Sequence, residues 1–156
     1  VAPQANSQAV TTSEDTAKAI TFTGSDANGD SLTFIVSNPE HGTISGSGAS
    51  RTYTPDANFF GTDSFTFKVN DGTVDSSAAT VTITVDPVND APVIGNFNTT
   101  PKVLETTTTQ ISIPVSDVDS TSLTYSLSQN APRWASIDRD TGVLTLSPDV
   151  DSSDVQ

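Results

Sequence analysis

Cysteine is absent from this 156-residue chain, and histidine and tryptophan each occur once. Without cysteine there is neither a thiolate metal site nor a disulfide framework, although this absence says nothing against export. The single histidine, His41, excludes catalytic machinery built on several imidazoles, and we expect it to be a turn residue. The sequence also lacks a long uncharged apolar stretch, which excludes a membrane-spanning helix.

Basic residues are scarce. The sequence has six Lys and Arg and 19 Asp and Glu, which give a formal net charge of −13. Such a charge repels phosphate backbones and excludes nucleic acid as a partner, since nucleic-acid binding needs a basic surface. Repulsion among so many carboxylates destabilises a compact fold unless cations lie between them, and divalent cations relieve it most efficiently. The alternative is an acidic surface that only keeps the protein soluble.

Apolar residues alternate with Thr and Ser in two segments, as half-buried strands require. In 64–69, Phe65, Phe67 and Val69 share one face, and 79–85 alternates in the same way. Shorter strands are predicted at 19–22, 32–36, 42–44, 51–53, 110–113, 123–127 and 142–146. Turn clusters of Asn, Asp, Gly and Pro separate them, and no segment has the period of an amphipathic helix. About seven short strands at this spacing predict an all-β fold of Greek-key β-sandwiches.

The chain repeats itself at an offset of 91 residues. The matching positions are Glu14 and Glu105, Asp26 and Asp117, Asn28 and Asp119, Leu32 and Leu123, and Thr33 and Thr124. We therefore predict two β-sandwich modules, residues 1–88 and 89–156. We expect the second module to be incomplete, because counterparts of the strands at 64–69 and 79–85 would fall after residue 156. It is then a truncated fragment, is completed by another chain, or continues in a parent protein.

The first residues, Val1-Ala2-Pro3-Gln4, have neither the charged start nor the apolar centre of a signal peptide. Ala2-Pro3 also resembles Ala91-Pro92 at the start of the second module. We therefore expect the chain to be an internal piece of a larger protein, with another module before it.

A stiffened connector joins the two predicted modules, with the sequence Asp86-Pro87-Val88-Asn89-Asp90-Ala91-Pro92. Its two prolines restrict the backbone. Asp86, Asn89 and Asp90 supply carboxylate and amide oxygens, which are the ligands that calcium prefers. A calcium site is therefore expected at the connector.

Both modules carry strings of family motifs. The first contains Gly24-Ser25-Asp26-Ala27-Asn28-Gly29-Asp30-Ser31-Leu32-Thr33, Asn58-Phe59-Phe60-Gly61-Thr62-Asp63-Ser64-Phe65 and Val69-Asn70-Asp71-Gly72. The second contains Asp117-Val118-Asp119, Ala131-Pro132-Arg133-Trp134 and Ile137-Asp138-Arg139-Asp140-Thr141-Gly142-Val143-Leu144. The chain thus resembles cadherin-like tandem repeats of large bacterial surface and secreted proteins, the second module being similar to dystroglycan-type cadherin-like or immunoglobulin-like domains. This resemblance implies tandem Ig-like or cadherin-like sandwiches.

In cadherins calcium bridges successive domains, and the resemblance implies the same role for oxygen ligands here. At the junction of the two modules the ligands carried over are Glu14, Asp86, Asn89, Asp90, Asp117 and Asp119. Facing a junction before the first module they are Asp26, Asn28 and Asp71. The connector lacks the second Asn of the family's Asp-x-Asn-Asp-Asn-x-Pro, so one ligand is lost or comes from a backbone carbonyl. For residues 26–30 the competing interpretation is a plain turn, which Asp, Asn and Gly favour for backbone reasons.

Enzymatic activity is not predicted. No serine lies in a Gly-x-Ser-x-Gly elbow, and the carboxylates lack the cleft that acid–base catalysis needs. Trp134 follows Arg133 and is the lone tryptophan; we expect it in the sandwich core, whereas an exposed indole would suit stacking on a sugar ring. The alternative function is therefore a carbohydrate-binding accessory module of a polysaccharide-degrading or surface protein, and a third is a metal-free spacer.

The leading prediction is a non-enzymatic, calcium-binding extracellular module that serves as an adhesion or stalk segment of a large bacterial surface or secreted protein. Calcium is the expected cofactor and stiffens the pair of modules. The expected partners are neighbouring repeats of a membrane-associated parent chain, with glycans or another cell-surface protein as targets. Neither nucleic acid nor insertion into a membrane is expected.

Overall fold

The computed structural model describes residues 1–101 and 107–147 and consists of strands, turns and connecting segments. It divides into two compact units, Val1–Val88 and Asn89–Gln156. Within the described ranges no helix is long and apolar enough to cross a membrane. The predicted all-β fold is confirmed.

The first unit contains nine strands. They are β1 (Gln4–Ala5), β2 (Gln8–Ser13), β3 (Lys18–Thr21), β4 (Gly24–Ser25), β5 (Thr33–Val36), β6 (Gly42–Ser47), β7 (Ser50–Pro55), β8 (Gly61–Asn70) and β9 (Ala79–Asp86). They form a four-stranded sheet in the order β2-β9-β8-β5, a three-stranded sheet in the order β3-β7-β6, and the pair β1-β4. Only β2 runs parallel to its neighbour, and the other ladders are antiparallel.

The two central strands, β8 and β9, bury every second residue. Phe65, Phe67 and Val69 are at most 3% exposed, as are the alternate apolar residues of β9, while the positions between them face solvent. This is the period that a strand covered on one face must have, and it confirms the predicted alternation. Each such side chain contributes about 1.5–3 kcal/mol when it is fully buried.

The core fills from the other sheet through Phe22 and Tyr53. The Phe22 ring lies 4.4 Å from that of Phe67 with an interplanar angle of 10°. Phe22 follows β3, and Tyr53 in β7 is completely buried. The apolar faces of the two sheets therefore meet as they do in a β-sandwich.

A buried carboxylate, Asp63, ties β7, β8 and the turn before β6 together. It is 4% exposed and accepts a 2.9 Å hydrogen bond from the Tyr53 hydroxyl. The backbone amides of Glu40, His41 and Ser64 also donate to it, at 3.2, 3.1 and 2.8 Å. Four donors therefore compensate the cost of burying this charge.

The second unit contains β10 (Val93–Ile94), β11 (Thr109–Ser112), β12 (Val115–Ser116), β13 (Ala135–Ile137) and β14 (Val143–Leu146). Its sheets are the pair β10-β12 and the three strands β11-β14-β13. The first residues of β11 and β12 lie 91 positions after those of β3 and β4. The unit thus carries a counterpart of the smaller sheet of the first unit.

The prediction of a strand at 123–127 is wrong, since the structure assigns no strand there. The corresponding strand of the first unit, β5, pairs with β8, and the described part of the second unit contains no counterpart of β8. A strand needs a ladder partner, and Tyr125 instead donates its amide to the Arg139 carbonyl at 2.9 Å. The segment lines an open groove together with Ile94 and Ile137.

The expectation that Trp134 fills the core is also wrong, because this side chain is 43% exposed. Its backbone carbonyl accepts a 2.9 Å hydrogen bond from Ser147. Of the described residues of this unit only Leu146, at 7% exposure, is a buried hydrophobic side chain. The described residues of this unit therefore offer the indole no fully buried apolar core.

We expect Asp63→Asn to lower the free energy of unfolding by about 2–3 kcal/mol, because an amide presents only one acceptor oxygen to four donors. Tyr53→Phe removes one hydrogen bond and should lower it by about 1 kcal/mol. Urea denaturation followed by circular dichroism measures both. The double variant should lose less than the sum of the two, and strict additivity would contradict the direct coupling.

Alkaline titration gives a second check on the same pair. Burial, then the hydrogen bond and charge of Asp63, raise the pKa of Tyr53 well above its usual value. Because the Tyr53 pKa is higher in the folded state, the neutral hydroxyl stabilises the fold. This contribution to the free energy of unfolding is complete below the unfolded pKa of about 10 and is lost as the pH rises through the folded pKa. Tyrosinate absorbance that Tyr53→Phe removes should therefore appear only together with unfolding.

Candidate functional site

The first candidate ligand, Glu14, follows directly after β2. Parallel pairing places Ser13 opposite Asp86, and the Glu14 amide donates to the Asp86 carbonyl at 2.9 Å. The Glu14 carboxylate then accepts a hydrogen bond from the backbone amide of Val88 through Oε1. Two of the predicted ligands, Glu14 and Asp86, therefore lie at one end of the β2-β9 ladder.

Glu14 is only 3% exposed, and Oε2 has no hydrogen-bond partner in the part of the chain that the structure describes. The ion pair found among those residues, Lys68 with Asp75, does not involve it. A buried carboxylate that lacks a second partner is costly unless a cation compensates its charge. This oxygen is therefore the best candidate for a metal ligand in the first unit.

A second group of carboxylates in the first unit lies at the turns after β4 and β8. One oxygen each from Asp26, Asp30 and Asp71 lies within 4.8 Å of the others. Asp26 Oδ1 accepts from the amides of Asn28 and Asp30, at 2.8 and 3.2 Å, while Asp26 Oδ2 is buried and has no described partner. We call Asp26, Asp30 and Asp71 the acidic triad.

Backbone donors fix the Asp71 side chain. Its Oδ1 accepts 2.8 Å hydrogen bonds from the amides of Thr73 and Val74. The bonds from Val74 and Thr73 hold the pKa of the Asp71 carboxyl below its usual value. Within the acidic triad, the Asp71 carboxyl is therefore ionised down to a lower pH than a free aspartate.

The structure brings Asp26 and Asp71 together as the sequence suggested, and it adds Asp30, which was not among the candidates. The signal was present in the alternation Asp26-Ala27-Asn28-Gly29-Asp30, where acidic or amide side chains recur at every second position. Asn28 itself is exposed. Residues 26–30 also form a turn, as the competing interpretation predicted, because Asp26 accepts the hydrogen bonds that close this loop.

Four candidates lie in the second unit and are linked by hydrogen bonds. Asp117 Oδ1 accepts from the amides of Asp119 and Ser120, at 2.9 and 2.7 Å. Asp119 Oδ2 accepts from the amide of Asp90, whose carbonyl accepts from the Asn89 side chain at 2.6 Å. The start of this unit and the turn after β12 are thus held together. Glu105, the repeat partner of Glu14, lies outside the described residues.

These groups offer only carboxylate, amide and carbonyl oxygens. Hard oxygen ligands suit calcium or magnesium, whereas zinc and copper favour the nitrogen and sulfur ligands that are missing here. Calcium accepts six to eight oxygens in irregular geometry, while magnesium demands a near-ideal octahedron. Loops that mix side-chain and backbone oxygens fit calcium better.

Residues 1–84 match the family model of the bacterial Ig domain. This match covers more than half of the sequence, and the chain belongs to the bacterial Ig domain family. An Ig-like or cadherin-like first module is therefore confirmed. The similarity of the second module to dystroglycan-type domains stays a prediction.

Solved structures of cadherin domains share the fold. The EC1-2 fragment of human protocadherin-24 is 18% identical, with a TM-score of 0.54 over 96% of this chain and 78% of that one. Domains 3–6 of protocadherin gamma B2 are 16% identical, with a TM-score of 0.50 over 98% of this chain and 45% of that one. At such identities the likeness concerns the fold alone.

A curated relative is the integrin beta-like protein B of Dictyostelium discoideum. It is 52% identical over 40 residues, which are 26% of this chain and 2% of that protein. The chain therefore spans only a small part of this relative's length.

We expect Glu14→Gln to raise the free energy of unfolding by about 1–2 kcal/mol in chelator, because it removes a buried charge and keeps an oxygen for the Val88 amide. Glu40→Gln is the matched control at an exposed position, and should change it by less than about 0.5 kcal/mol. Urea denaturation measures both. A destabilised Glu14→Gln variant would show that the carboxylate is needed without any cation.

Proposed function

We propose that this chain is a calcium-binding, non-enzymatic extracellular segment of a larger bacterial surface or secreted protein, acting as a stalk or adhesion module. Membership of the bacterial Ig domain family and the cadherin-like fold support a structural or adhesive role. The net charge of −13 supports a requirement for cations. The observation that carries the proposal is the buried Glu14 carboxylate, whose Oε2 has no partner among the described residues.

Calcium would act at this carboxylate as a fold-stabilising ion. Bound calcium places two positive charges next to a group that otherwise destabilises the unit, so binding and folding are coupled. The acidic triad is a second candidate, because three carboxylates confined within 4.8 Å repel one another until a cation neutralises them. Each location needs further oxygens from backbone carbonyls or water to complete a calcium shell.

From the sequence pattern of the connector we further infer that one calcium ion is shared by the two units. Glu14 and Asp86 belong to the first unit, whereas Asn89, Asp90 and Asp119 belong to the second. If both units supply ligands to the same ion, calcium binding also restricts the motion of one unit against the other. The two prolines of the connector limit the backbone freedom that the ion has to remove.

Calcium titration by calorimetry should detect binding with a dissociation constant on the order of 0.1–1 mM, the range of extracellular calcium modules. At a calcium concentration about 100 times that constant, the free energy of unfolding should rise by about 2.7 kcal/mol. Glu14→Gln should weaken binding at least several-fold, while Glu40→Gln should behave as the parent chain. A titration without heat or stabilisation would leave only a metal-free spacer.

X-ray scattering should show a narrower distribution of interatomic distances in calcium than in chelator, because a shared ion restricts motion about residues 86–92. Glu14→Gln should abolish this difference. Asp26→Asn should retain it, since the acidic triad belongs to one unit only, although it should reduce the number of ions bound. Identical scattering curves for the parent chain in calcium and in chelator would contradict the shared ion.

A further inference from the structure

Asn28 is the only asparagine in the sequence that precedes a glycine. It lies in the turn between β4 and β5, where residues 27–31 are all exposed. Gly29 adopts a φ of 79°, and no heavy atom lies within 4 Å of the place where its Cβ would be. Gly29 therefore has no side chain of its own and open space on the side where one would stand.

This sequence and this exposure suit an intramolecular reaction. The Gly29 backbone nitrogen loses its proton to water and attacks Cγ of Asn28, a nitrogen–carbon bond forms, and the side-chain amide leaves as ammonia. Water then opens the resulting five-membered imide at either carbonyl. The products are aspartate or isoaspartate at position 28, and the net reaction consumes one water and releases one ammonia, with no oxidant or reductant.

The hydrogen bonds at Asn28 leave its side chain free to react. Its backbone amide donates to Asp26 Oδ1, but its side-chain amide makes no hydrogen bond to the described residues. The Gly29 amide donates one 3.2 Å bond, to the Asp26 carbonyl. Neither the carbon that is attacked nor the leaving group is therefore held back by the fold.

The chain offers its own contrast in Asp71-Gly72, a pair that can form the same imide by loss of water. There the Gly72 amide donates a 2.7 Å hydrogen bond to Asn70 Oδ1. The Asp71 carboxylate accepts from the amides of Thr73 and Val74 at 2.8 Å. Nucleophile and electrophile are both restrained, so this glycine pair is protected although it also has a positive φ, of 93°.

We propose that Asn28 is a site of spontaneous deamidation, which converts a neutral amide into a carboxylate two residues from Asp26 of the acidic triad. The aspartate product keeps the backbone of the turn and adds a third acidic side chain to it, beside Asp26 and Asp30. The isoaspartate product inserts a methylene group into the backbone and alters the loop that Asp26 closes. Any effect of these products on calcium binding rests on the proposed function, whereas the deamidation reaction itself does not depend on it.

Incubation of the purified chain at mildly alkaline pH and 37 °C in chelator tests the site, with peptide mapping by mass spectrometry and enzymatic detection of isoaspartate. Conversion at Asn28 should be on the order of tenfold faster than at any other asparagine, because only glycine lacks the Cβ that hinders attack. Asn28→Gln, whose longer side chain must fix one more bond rotation to close a six-membered imide, should remain unconverted over the same time. Asn70→Ala, which releases the Gly72 amide, should raise isoaspartate at Asp71.

Conversion at Asn28 no faster than at the other asparagines would overturn the inference, as would isoaspartate at Asp71 of the parent chain that equals the amount at residue 28. Asn28→Asp reproduces one product and should bind calcium several-fold more tightly than Asn28→Gln. Rapid conversion without any calcium binding would overturn the proposed function and leave the site standing. Normal calcium binding with a stable Asn28 would overturn this inference alone.

Discussion

The antiparallel pair β8-β9 is the constraint on which the first unit depends. Its alternate side chains supply Phe65, Phe67 and the β9 valines to the core, and its edges give β5 and β2 their ladder partners. In the second unit that pair is not among the described strands. The three-stranded sheet β11-β14-β13 forms, but the segment 123–127 has no ladder partner among the described residues and borders an open groove. Burial and pairing thus depend on the same two strands.

Negative charge is distributed over this scaffold in two ways. Asp63 is buried with four donors around it, so its charge ties strands together and needs no cation. Glu14 is buried to the same degree, but Oε2 has no described partner. The same residue class is therefore structural where amides and a hydroxyl converge, and is a candidate ligand where they do not.

The alternation of buried and exposed residues in β8 and β9 was predictable, because successive side chains of a strand point to opposite faces whatever the rest of the fold. Turn residues and motif spacing also marked Asp26 and Asp71, whose carboxylates lie close together, while their role as ligands stays a prediction. Asp30 was missed because its proximity to Asp71 depends on how the turns after β4 and β8 meet. Trp134 was misplaced for a related reason, because its burial depends on a core that the described part of the second unit does not build.

The sequence by itself determined the all-β class, the central strands and the absence of thiol ligands, because composition and a period of two residues do not depend on the tertiary structure. Only the tertiary structure decided which carboxylates are satisfied. Hydrogen bonds to Asp63 come from residues 22 and 23 positions away, and the amide that reaches Glu14 from 74 positions away. Whether a charge is compensated depends on such distant neighbours, which a linear pattern does not specify.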